Sequence, residues 1–100
     1  KMDQKYIDAI DAAIEEKCKG IYRWLSGFNF AKESKRLAKL LSKRVKLMSI
    51  SKKCINKEVM ASIDLAIETI GDYVYRHPEE YSPAVSFAEI LTAREKLKND

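Results

Sequence analysis

A chain of 100 residues, 46% apolar and 34% charged, fits one domain with a modest core and is too apolar to stay disordered. No apolar run approaches the ~18 residues a membrane span needs, and two cysteines, Cys18 and Cys54, are too few for a disulfide scaffold. The net charge of +4 conceals an asymmetry: residues 32–53 carry nine bases and one acid, whereas residues 54–100 carry five bases and nine acids.

With three glycines and two prolines, the chain has few breakers, and its wealth of Ile, Leu, Ala, Lys and Glu favours helices over strands. The first predicted helix runs from about Asp3, a candidate N-cap, to Leu25, before a stop at Ser26-Gly27. Ile7, Ile10, Ile14, Cys18, Ile21 and Leu25 recur at steps of three and four and share one face. Asp8, Asp11 and Glu15 are expected to flank that face. The second helix runs from about Phe30 to Ile50, with Phe30, Leu37, Leu41, Val45 and Met48 as its stripe. Asn56 is the expected cap of the third helix, which continues to about Tyr75 through Val59, Ile63, Ala66, Ile67, Ile70 and Val74. Pro78 ends it, because the residue before a proline is pushed out of the helical region. The fourth begins at Ser82-Pro83, read as N-cap and first helical position, and runs to about Leu97. Its expected apolar positions, Phe87, Ile90, Leu91 and Leu97, form the least regular stripe.

Helices with one apolar face must bury it, and short connections favour antiparallel neighbours. The expected fold is therefore all-α: a single-domain, small antiparallel bundle of four helices over residues 1–100. A three-helix core with a loosely docked fourth helix is the alternative.

The second helix divides by charge. At about 100° per residue, Lys32, Lys35, Arg36, Lys39, Lys43 and Lys46 occupy an arc of roughly 100°, opposite the apolar stripe. No acid shares the arc; Glu33 lies off it. The pairs 32/36, 35/39 and 39/43 are like-charged at four-residue spacing, and each costs about 0.2–0.5 kcal/mol at low salt. Arg44 projects toward the apolar side, where it must snorkel or find an acid from another helix. Two acidic stripes can answer the basic one within the bundle or across a homodimer: Asp8, Asp11 and Glu15 on the first helix, and Asp64, Glu68 and Asp72 on the third.

An outward cationic arc suits an acidic partner. The expected contacts are Lys32, Lys35, Arg36, Lys39, Lys43 and Lys46, extended by Lys52, Lys53 and Trp24. The arc is mainly lysine, which suits phosphates but reads no base sequence, so sequence-nonspecific nucleic-acid binding is the second reading. A structural homo-oligomer is the third. Membrane docking is disfavoured, because the bundle itself needs the apolar side of the helix. Tyr22, Trp24, Phe28 and Phe30 precede the arc and read first as packing around a turn.

His77 is the single histidine, so no imidazole pair exists for a metal, and no catalytic, cofactor or phosphate-loop motif is present. Cys18 reads as a core residue and Cys54, after Lys52 and Lys53, as a thiol of minor interest. The expectation is a cytoplasmic protein, non-enzymatic and without cofactor or metal, that docks on an acidic surface of a larger protein and regulates or inhibits it. In size, charge and helical content it is similar in class to small immunity, inhibitor and phage-accessory proteins, without a shared motif.

Overall fold

The computed structural model describes residues 4–23 and 29–98. They form four helices and no strand: α1 (Gln4–Arg23), α2 (Phe30–Ser51), α3 (Lys57–Arg76) and α4 (Tyr81–Leu97). The expected N-cap Asp3, the Leu25 and Ser26-Gly27 end of the first helix, and Trp24 and Phe28 lie outside the described residues.

The helix ends follow local chemistry. Asn29 Oδ1 accepts from the Lys32 amide at 3.0 Å and opens α2. The helix closes at Lys52, whose φ of 63° places a non-glycine residue in the left-handed region, with its N–H on the Met48 carbonyl at 2.8 Å. Asn56 caps α3 through the Val59 amide at 2.9 Å, as expected. That helix ends at Arg76, just ahead of His77-Pro78.

The start of α4 corrects the sequence reading. Glu80 is the N-cap residue and Ser82 is already helical, so Pro83 occupies the third helical position and is buried. Proline is tolerated there because the first-turn amides have no intrahelical acceptor to lose.

Ion pairs fix the helix order. Lys17 of α1 pairs with Glu33 of α2 and Asp11 with Arg44, so these helices run antiparallel. Asp64 of α3 pairs with Arg94 of α4 and Gly71 lies against the Phe87 ring, so these two also run antiparallel. The most extensive contacts are α2 with α4 and α1 with α3. The cyclic order is therefore α1, α2, α4, α3. Across the core, α2 and α3 meet at one end, where Phe30 stacks on Tyr73 with ring centroids 4.3 Å apart.

The core draws on every helix: Ile7, Ile14, Cys18 and Ile21; Leu37 and Leu41; Val59, Ile63, Ala66 and Ile70; Ile90 and Leu97. On α2 the buried face is wider than its expected stripe. Ser34, Ala38, Arg44 and Leu47 are buried, while Val45 and Met48 are only half-buried. Ala38 borders α4 along the α2–α4 groove, while Arg44 is turned toward α1, where it meets Asp11, so the covered surface extends around the helix on both sides of the expected stripe. On α4, Ser86 and Ala93 are buried with small side chains of their own. Leu91, expected inside, is 42% exposed. Burial pushes the Cys18 thiol up to about 12, with Glu15 adding to the shift, so this cysteine is a neutral packing group.

Candidate functional site

The basic arc survives folding with its charge uncovered. α2 is continuous through it, and Lys32, Lys35, Arg36, Lys39, Lys43 and Lys46 are all exposed. Arg36 reaches Glu33 at 3.3 Å. Lys43 Nζ stands 5.4 Å from the centre of the Tyr6 ring, a cation–π contact worth about 0.5–1 kcal/mol at an exposed site. Among the described residues, Lys32, Lys35, Lys39, Lys43 and Lys46 make no ion pair.

Three of the six acids in the two stripes are engaged elsewhere. Asp64 holds Arg94 through two bonds of 2.8 and 3.0 Å. Asp72 meets Arg76 at 3.1 Å on the same helix. Asp11, expected on a flank, is buried and takes Arg44 Nε at 2.6 Å. Arg44 thus finds an acid on another helix, and its Nη1 also donates to the Lys53 carbonyl at 3.0 Å. The lone acid of the basic segment, Glu33, sits in the first turn of α2. The hydrogen bond from Lys17 leads in holding its carboxyl below the usual range, with Arg36 and Lys32 contributing. Its charge ties α2 to α1 through Lys17 and reaches the arc only at Arg36.

One edge of the arc is the wall of an open groove between α2 and α4. Lys35, Lys39, Ser42, Lys43 and Lys46 line it from α2, and Ala88, Glu89, Thr92 and Lys96 from α4. Ala38, Val45 and Ala93 complete the apolar floor, and the volume is about 990 Å³. Five lysines face one glutamate across an alanine-rich surface. Ala88 and Thr92 line the α4 side with small side chains where larger residues would fill the space.

Four of the nine sequence-predicted contacts, Lys35, Lys39, Lys43 and Lys46, therefore share one feature. Lys32 and Arg36 lie on the same helix face without lining the groove. Lys52 and Lys53 do not join them: Lys52 terminates α2, and Lys53 borders a separate hollow of about 280 Å³ lined also by Asp8, Asp11, Glu15 and Cys54. Trp24 lies outside the described residues, and Tyr22 is exposed on α1. Phe30 is core, as its packing reading required. Lys96 and the small residues of α4 escaped the sequence reading. Ala88 and Thr92 lie one turn apart, and that spacing of small side chains was the available signal.

At the α3–α4 turn, His77, Glu79 and Glu80 bring their ligand atoms within 4.8 Å of one another. The Tyr73 hydroxyl donates to Glu80 at 2.8 Å, which raises the tyrosine's proton affinity. A search for paired histidines passes over this cluster. It is a surface group of one imidazole and two carboxylates, and one carboxylate is already engaged. No helix of the described residues is long and apolar enough to cross a membrane. No protein-family profile, curated protein or solved structure matches this chain.

Proposed function

We propose that this protein is a non-enzymatic docking module whose α2–α4 groove binds an acidic surface of a larger protein and thereby regulates or inhibits it. The observation that carries the reading is the row Lys35, Lys39 and Lys46: exposed, free of ion pairs among the described residues, and beside an apolar floor. Like charges at four-residue spacing weaken a helix, so a mixed-charge face would be the more stable choice. Binding is what such a sacrifice serves. The same field accelerates encounter with an anionic partner and is screened within about 8 Å at physiological salt.

Affinity capture from nuclease-treated lysate, comparing wild type with the K39E/K43E variant, tests the reading. Wild type is expected to retain a defined protein partner that the variant loses, while circular dichroism shows the variant folded. Equal capture by both proteins refutes the role of the groove. Capture that vanishes with nuclease points to nucleic acid instead.

A further inference from the structure

Resting on the docking role above, we infer that the acidic surface is a single amphipathic α-helix, laid along the α2–α4 groove with carboxylates at three- and four-residue spacing. The lysines that wall the groove follow one another at four, four and three residues. At 1.5 Å rise per residue these steps are about 6, 6 and 4.5 Å, roughly 16 Å in all. A helix lying alongside repeats its own side chains at the same steps, so its carboxylates meet the lysines without drifting out of register.

The floor selects the same occupant. Ala38, Ala88 and Ala93 are small enough to let a third helix approach at an ordinary packing distance of about 8–10 Å. They also match an apolar stripe beside the acids. An extended segment is a poorer fit. Both walls are helices with internally bonded backbones, so a strand pressed onto the floor would bury N–H and C=O groups with no partner. A helix brings its backbone already satisfied. Nucleic acid fits less well still. The groove is lined by no aromatic ring and no Arg, Asn or Gln to stack on or read a base, and its apolar floor would lie against sugar and phosphate. The acidic stripes of a second copy are partly spent: Asp11 holds Arg44, Asp64 holds Arg94 and Asp72 holds Arg76, which leaves Asp8, Glu15 and Glu68 divided between two helices with no run of carboxylates to match the lysines. The occupant is thus a helix from a different protein.

The test uses the full chain and fluorescence anisotropy at low salt. The first probe is a side-chain-bridged helical peptide of about 18 residues, some 27 Å long, with glutamates at i, i+4, i+8 and i+11 beside an Ala/Leu stripe. Its controls are a scrambled isomer of equal charge, the same sequence interrupted by prolines, and a short DNA duplex. The helical peptide is expected to bind at least about tenfold tighter than either peptide control. Ala88→Trp, which fills the floor, is expected to abolish that preference while leaving the weak binding of the scrambled isomer intact. If all three acidic peptides bind alike, the helical occupant is overturned and acidic docking stands. If none binds, both readings fall. Tighter binding of the duplex overturns the inference in favour of nucleic acid. Self-association on sedimentation, dissolved by Glu68→Lys, overturns it in favour of a second copy.

Discussion

Arg44 is the residue on which the bundle's geometry turns. It is 0% exposed, and its guanidinium joins α1 through Asp11 and the α2–α3 connection through the Lys53 carbonyl. A buried pair of this kind is weak evidence of net stabilisation, because both ions lose their hydration. Breaking it is another matter. Arg44→Ala leaves the Asp11 carboxylate buried and uncompensated, at an expected cost of about 3–5 kcal/mol in urea denaturation. Replacing both partners with apolar residues of similar size, Asp11→Leu with Arg44→Met, is expected to fold within about 1 kcal/mol of wild type or better. Recovery in the double variant separates the cost of a stranded charge from any intrinsic need for the pair. Part of this was legible in advance. An arginine on the apolar side of a helix calls for an acid, and Arg44 stands out for that reason. Its partner was not legible, because Asp11 follows Ile10 on the border of its own stripe and reads equally well as solvated.

At the scale of the element, α2 carries a strain that the rest of the bundle does not relieve. Lys39→Glu converts the like-charged pairs 35/39 and 39/43 into attractive ones. It should raise stability by about 1 kcal/mol at low salt, an effect that shrinks as salt screens it. Thermal melts of wild type and variant at two ionic strengths check this. A gain in stability from a change that removes a groove lysine would be the mark of a face kept for binding. The limits of α3 were legible because the Asn56 cap and the Pro78 stop act within a few residues, whereas the Asn29 cap of α2 emerged only with the structure. The start of α4 was not legible: Ser82-Pro83 imitates a cap and first turn, whereas the helix opens at Tyr81 with no side-chain cap bond. Its stripe was faint because α4 is apolar on both sides. Pro83, Ile90 and Leu97 are buried, while Tyr81, Val85 and Leu91 remain exposed.

For the whole molecule, composition and periodicity sufficed for a four-helix fold but not for the order of its neighbours. Short connections permit several arrangements, and the choice is recorded in contacts between distant residues: Asp11 with Arg44, Asp64 with Arg94, and the extensive packing of α4 on α2. That packing makes α4 integral to the bundle and removes the three-helix alternative. Hydrogen exchange is therefore expected to show the amides of Ile90 and Ala93 opening only with global unfolding, at the same free energy as those of Leu37 and Leu41. Earlier exchange across α4 would mean that it detaches by itself. The groove had to await the fold, since five of its twelve lining residues come from a helix with little charge pattern of its own. This division of labour has an evolutionary corollary. If the groove docks a partner as proposed, most of the attraction lies on α2 and much of the shape on α4, so the two can be retuned largely separately. Substitutions at the exposed positions 88 and 92 would then remodel what the trough accommodates while the row of amines stays as it is, and a lineage would change the fit of its target without giving up the pull.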